Sequence, residues 1–328
     1  MSGKVKLGIN MFSFNTEFYS QKFSLEDCVV KSAETGATGI ELIGAQMVRG
    51  YPYPTDAYIE RFKEVCAENG IQPVSYGAYV DKGVRSDREQ TEEELIAATL
   101  NDVMIASKLG CTVLRTQQLL GPRTLAKLVP MAEDYGIHIG IELHHPHGFD
   151  TPIIQEYIET CAKSGSKYIG IIPDFGIFME HPDHAFYNGY QSMGAEKRFL
   201  DYAIAAFENG EEEARVQEKM LEMGAAGMNA RIVGQIWEKY HPADLEGLKN
   251  CMPYIHYAHG KFYYVDENYN DPSIPYGKIL KIFDDADYDG YISSEYEGHF
   301  FGSPEMTGQD TVEQLRRHIR MEHELLGY

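Results

Sequence analysis

Short apolar runs alternate with helix-length stretches along this chain. Eight runs read as strands: 5–10, 39–44, 71–77, 111–117, 137–144, 167–175, 254–262 and 290–297. Between the early ones lie segments with helix punctuation. "SLEDCVVKSAETG" and "TDAYIERFKEVCAENG" each open on a capping residue and close on glycine. "TEEELIAATLNDVMIASKLG" adds a glutamate three residues after its threonine, the capping-box spacing. Strand, helix, strand, repeated eight times, predicts one α/β domain over residues 1–328, a (β/α)8 TIM barrel. The segment 176–253 breaks the rhythm, since it is far longer than one connecting helix needs. It is predicted to be a helical insertion after the sixth strand, covering the barrel mouth or an interface.

The fifth run, within "IGIELHHPHGFD" (139–150), places a carboxylate inside an apolar strand and histidines at its exit. Side chains alternate between the two faces of a strand. Ile137, Ile139, Ile141 and Leu143 form the set that packs under outer helices, so His138, Gly140, Glu142 and His144 point into the barrel. The same phase brings Asp174, after Gly170 and Ile172, to the mouth in the sixth strand. In the seventh, Tyr257, His259 and Lys261 share a face that excludes His256. In the eighth, Ser293, Glu295 and Glu297 share one. Four successive strands thus present Glu142, Asp174, His259 and Glu295 at the C-terminal end, where barrel enzymes keep their chemistry.

Three carboxylates converging in a low-dielectric cavity repel one another unless a positive charge sits between them. One divalent metal ion with His259 as its nitrogen ligand answers this, and the oxygen-rich set favours Mn2+ or Mg2+, with Zn2+, Co2+ and Fe2+ as alternatives. His144, two residues beyond Glu142 on the same face, suits a general base. A hydrogen bond that orients a ligand carboxylate, without contact to the metal, is its alternative role. Lys261, Gln117, Arg115 and Glu297 share inward faces and are candidates to bind substrate. His145 falls on the opposite face by simple alternation, while His147 and His299 lie in loops at the catalytic end. The tyrosines of "RGYPYP" and "KFYYVDENY" offer flat surfaces for a ring to stack on.

Composition narrows the partners. A net charge of −21 argues against nucleic acid. The N-terminal residues lack the apolar core of a signal peptide, and no run approaches the roughly 20 apolar residues of a membrane span. Five scattered cysteines without a CxxC pair suggest reduced thiols in the cytoplasm.

The ligand order and spacing resemble the xylose-isomerase-like barrel superfamily of sugar phosphate isomerases and epimerases, over essentially the whole chain. "PVSYGAYVDKG", "GSKYIGIIPDFG", "HGKF" and "SEYEGH" look most like the large (alpha) subunit of bacterial C-glycoside deglycosidases. That resemblance implies cleavage of the carbon–carbon bond between a 3-oxo sugar and an aromatic aglycone, and a small β-rich second subunit as partner. It implies loss of the proton α to the ketone, followed by elimination of the aglycone. Two departures weaken ordinary epimerisation: Ile177 stands where epimerases commonly have a histidine three residues after the metal aspartate, and position 148 is glycine rather than an acid. A sugar isomerase or epimerase with a different proton shuttle, and a noncatalytic sugar-binding barrel, are the rival expectations.

Overall fold

The computed structural model describes residues 5–298 and 308–328. Within them run eight parallel strands: β1 (Lys6–Asn10), β2 (Gly39–Ile43), β3 (Gln72–Gly77), β4 (Val113–Thr116), β5 (His138–Leu143), β6 (Ile169–Pro173), β7 (Tyr257–Phe262) and β8 (Tyr291–Tyr296). Their order is β6-β5-β4-β3-β2-β1-β8-β7, and the two ends meet through the bridges Ile171–Ile255 and Asp174–His259. The result is the nearly closed (β/α)8 barrel that the sequence predicts.

The local reasons are those read from the pattern. Ser24 and Asp27, and Thr91 and Glu94, form reciprocal capping boxes at the starts of the helices Leu25–Glu34 and Glu92–Leu109. Ile139, Ile141 and Leu143 are fully buried in the layer between strands and helices. Inside the barrel, Val74, Val113, Ile172 and Tyr257 form a separate apolar plug with Tyr291 against it. That plug is a floor. Polar inward residues are crowded above it at the C-terminal mouth, away from the N-terminal end.

Between β6 and β7 come the helices His184–Ser192, Lys197–Glu208, Glu213–Glu222, Met228–Lys239 and Leu245–Cys251. Leu245–Cys251 packs on Tyr276–Asp285, as a regular barrel helix does, whereas Met228–Lys239 packs on Lys197–Glu208 and Glu213–Glu222. Much of the apolar surface of these helices is covered within the chain. Phe199 is fully buried, Tyr202 and Ile204 pack against the core, and Phe207 meets Trp237 edge-on at 5.2 Å. An amphipathic helix hides its own apolar stripe before it offers one to a partner.

At the N-terminal end of the seam, His138 stacks on His256 with ring centroids 4.3 Å apart, and Tyr168 stacks on His138 at 4.9 Å. Chains approach so closely here that a Cβ at Gly170 would collide with the Tyr254 carbonyl. The His256 Nε2 is buried without a hydrogen bond. Burial, helped by the neighbouring His138, pulls the His256 pKa down from 6.5 to about 4. The fold therefore prefers His256 neutral, while the unfolded chain takes up a proton near pH 6.5. Stability is lost as pH falls from 6.5 toward 4, by up to about 3 kcal/mol from this residue. His256→Phe keeps the ring and removes the titration, so its stability relative to wild type should improve as urea melts are moved from pH 7.5 to pH 4.5. An unchanged difference at the two pH values would refute the assignment.

Candidate metal centre and active site

The strand ends deliver the four ligand candidates to one point. Glu142 lies in β5, His259 in β7 and Glu295 in β8, and Asp174 follows β6 directly. One ligand atom from each lies within 4.8 Å of all the others, and all four residues are buried. Backbone geometry fixes them: the Asp174 amide donates to the Leu143 carbonyl at 2.9 Å, and Lys261 pairs in register with Glu295. The Gly176 amide donates to Asp174 Oδ1 at 2.7 Å, which sets the plane of that carboxylate.

Around this cluster lies a shell that the sequence reading missed. Glu41, in β2 and fully buried, stands with Oε2 3.1 Å from His259 Nε2. The other ring nitrogen, Nδ1, faces Glu142 Oε1 at 3.0 Å and Glu295 Oε2 at 3.6 Å. A carboxylate on Nε2 holds the proton there and leaves Nδ1 as the nitrogen available to a metal. Arg115 Nε in turn donates to Glu41 Oε1 at 3.1 Å, and its Nη1 lies 3.6 Å from Glu142. Gly77 makes this pair possible, since a Cβ there would sit 2.7 Å from Arg115 and 2.9 Å from Glu41. Asn10 Nδ2 donates to Glu295 Oε1 at 2.8 Å. Lys261 Nζ is held by Asp174 at 2.7 Å, Glu297 at 3.0 Å and Glu295 at 3.3 Å.

The charges do not balance. Five carboxylates (Glu41, Glu142, Asp174, Glu295 and Glu297) face two permanent cations, Arg115 and Lys261, in this network. Burial works against an ionised Glu41, yet His259 and Arg115 hold its pKa at about 2. Burial likewise opposes ionisation of Glu142, which Arg115 and His259 keep below the usual carboxylate range. Glu295 goes the other way: burial pushes it up to about 7, only partly offset by Lys261 and His259. Burial alone would lower His259, but Glu41 and Glu295 raise it well above the usual imidazole value. Protons gather where positive charge is short, and a divalent cation answers the same shortage. Asp174 Oδ2 and Glu295 Oε2 are buried beside the Lys261 ammonium, and with Glu142 and His259 Nδ1 they form a donor set suited to such an ion.

Glu142, Asp174 and Glu295 of the cluster line the floor of a cavity of about 560 Å³, with His259 buried behind them. His144, Gln117, Arg115, Lys261 and Glu297, all picked from strand phase, line it. His144 Nδ1 donates to the His145 carbonyl at 2.7 Å, which leaves Nε2 with the lone pair. His145 also lines the cavity, against the alternation reading, because β5 ends at Leu143 and a turn follows. His147 faces a different hollow with Pro146 and Phe149. Of the tyrosine-rich stretches, Tyr263 reaches the cavity, whereas Tyr53 is 77% exposed elsewhere. His299 lies outside the described residues. Phe12 and Tyr79 add aromatic surface, with the Arg115 guanidinium 5.0 Å over the Tyr79 ring. Gln235, Glu238 and Lys239 enter from the insertion.

The profile of a family described as xylose isomerase-like TIM barrel matches residues 29–321. The chain is 29% identical over 340 residues to the 3'-dehydrocarminate deglycosidase alpha subunit of a Microbacterium species, covering 98% of this chain and 95% of that one. It is 28% identical over 307 residues to the C-glycoside deglycosidase alpha subunit of Microbacterium trichothecenolyticum, covering 89% and 83% respectively. Among solved structures, an IOLI protein with a binding zinc atom shares the fold with a TM-score of 0.56 at 14% identity, over 98% of each chain.

If Glu41 orients His259, Glu41→Gln should lower affinity for Mn2+ by on the order of 10- to 100-fold while the thermal melt stays cooperative. Titration calorimetry on the variant and wild type checks this, and equal affinities would exclude the orienting role.

Proposed function

Because this chain belongs to the xylose isomerase-like TIM barrel family, we propose that it is the catalytic, alpha-type subunit of a C-glycoside deglycosidase. In this reading it cleaves the carbon–carbon bond between a 3-oxo sugar and an aromatic aglycone, a lyase reaction. The observation that carries it is the placement of His144, with a lone pair on Nε2, in the cavity floored by the four-residue cluster. The relatives named above, similar over nearly their full length, support the deglycosidase reading over a sugar isomerase or epimerase.

Glu142, Asp174, His259 and Glu295 would hold one divalent ion, Mn2+ first by donor type, with Mg2+, Co2+ or Zn2+ as alternatives. Such an ion supplies Lewis acidity to a ketone and its neighbouring hydroxyl, making the intervening proton acidic. His144 Nε2 takes the proton from carbon 2 of the sugar. The bond from carbon 1 to the aglycone lies β to the ketone, so the electrons released at carbon 2 expel the aglycone once its ring carbon is protonated and the phenol oxygen takes up the electron pair. Lys261, Glu297 and Gln117 bind sugar hydroxyls, and Arg115 both borders the substrate and holds Glu41 in place. Phe12 and Tyr79 narrow the cavity and limit water around the carbanionic stage.

The relatives are named alpha subunits, and on that basis a small β-rich second subunit completes the enzyme. No helix among the described residues is long and apolar enough to cross a membrane. Five free, buried cysteines accord with the reducing cytoplasm as its compartment.

The test is to give the metal-loaded chain, with and without its small partner, a 3-oxo-C-glycoside and free ketoses. Cleavage of the glycoside, and no interconversion of ketoses, is the expected outcome. His144→Gln should cut the cleavage rate by on the order of 10²–10⁴ with metal content unchanged. Ketose turnover by the isolated chain would move the isomerase reading to first place, and wild-type turnover in His144→Gln would remove the base.

A further inference from the structure

We propose, building on the deglycosidase reading above, that Lys239 of the insertion is the catalytic acid that meets the phenolic oxygen of the departing aglycone. The insertion would then be part of the active site rather than a cover for it.

Three cationic side chains line the cavity, and their surroundings differ. Arg115 is committed to Glu41 and Glu142, at 3.1 and 3.6 Å. Lys261 is gripped by three carboxylates at 2.7–3.3 Å, and despite burial these raise its pKa well above the usual lysine value. A lysine held in that way positions a sugar but does not release a proton. Lys239 stands over aromatic faces, its Nζ 4.2 Å from the Tyr263 ring centroid and 5.9 Å from that of Tyr240. The Tyr263 hydroxyl donates to Glu297 Oε2 at 3.4 Å, and Glu297 is also the partner of Lys261. Lys239 is thus one ring's width from the sugar end of the site, on the wall built by the insertion. The last turn of Met228–Lys239 carries it there, and the helix is pinned by the Tyr190 hydroxyl on Gln235 at 3.1 Å. Burial lowers the Lys239 pKa to about 8, against the pull of Asp183 and Glu297, so this ammonium can give up a proton near neutral pH.

The chemistry needs such a group. A carbon leaving group departs as an unstable carbanion unless its charge is passed to a better atom. Tautomerisation first moves the phenolic proton to the ring carbon bonded to the sugar, so an O–H bond is exchanged for the new C–H bond and the oxygen becomes a carbonyl. His144 removes the proton at carbon 2, the C1=C2 double bond forms, and the bond from C1 to the ring breaks. That electron pair returns through the ring to the oxygen, where Lys239 donates a proton and leaves a neutral phenol. The proton on His144 passes back to Lys239 through solvent. No proton is gained or lost overall, and no oxidant or reductant is required.

Lys239→Met and Lys239→Gln separate this role from the rest. The metal-loaded enzyme with its small partner is given 3-oxo-C-glucosides of phenols that differ in acidity, in deuterated water. Cleavage should fall on the order of 10²-fold or more, most for the least acidic phenols, while deuterium exchange at carbon 2 and metal content stay at the wild-type level. Wild-type cleavage rates with an unchanged dependence on phenol acidity would overturn the assignment. So would parallel loss of exchange and cleavage in both variants, which would make Lys239 a structural support. A wild-type enzyme that exchanges carbon 2 but cleaves no C-glycoside would instead overturn the deglycosidase reading itself, and this inference with it.

Discussion

An excess of negative charge in a buried space governs the upper half of this barrel. Two carboxylates a few ångströms apart repel by several kcal/mol at the effective dielectric of a protein interior, and here five converge with only Arg115 and Lys261 as permanent counter-charges. Much of the surrounding structure answers that constraint. Gly77 leaves space for the Arg115–Glu41 pair, Asn10 satisfies one oxygen of Glu295, and the Gly176 amide does the same for Asp174. What remains is still short of positive charge, and its donor atoms are those a hard divalent cation prefers.

The barrel supplies the precision. Parallel strands end together at one rim, so residues far apart in sequence arrive at fixed mutual positions. The β6–β7 seam makes the clearest case: few backbone bonds join the strands there, yet one of the two bridges pairs Asp174 with His259. The long excursion between those strands exploits the same seam. Its helices pack on one another and bring Lys239 back over the mouth. The floor of the cavity is therefore built by the strands and one wall by the insertion, a division that suits a substrate with a polar half and a flat half.

Strand phase alone was enough to locate Glu142, Asp174, His259, Glu295, His144 and the flanking Lys261, Glu297, Gln117 and Arg115, because alternation in a parallel strand is rigid. The same "GIEL" tetrapeptide occurs at 39–42 and 140–143. Glu41 carried the same signal as Glu142 but sits in a strand with no histidine at its exit. Alternation failed at His145, where the strand had already ended. Lys239 was not legible at all, since its position depends on how several helices fold back, and nothing local in "IWEKY" encodes that. The apolar residues around Phe199 show a related limit: their pattern says they will be covered but not by what.

The central claim is that the cluster at the barrel mouth holds a single divalent cation. The most direct measurement is an EPR-monitored titration of the chain with Mn2+, set beside a Glu142→Gln, Glu295→Gln double variant that keeps the shapes and removes two charges. One tight ion per chain in the wild type, and none in the double variant, is the expected result. No stoichiometric binding by the wild type, or the same stoichiometry in both proteins, would contradict it.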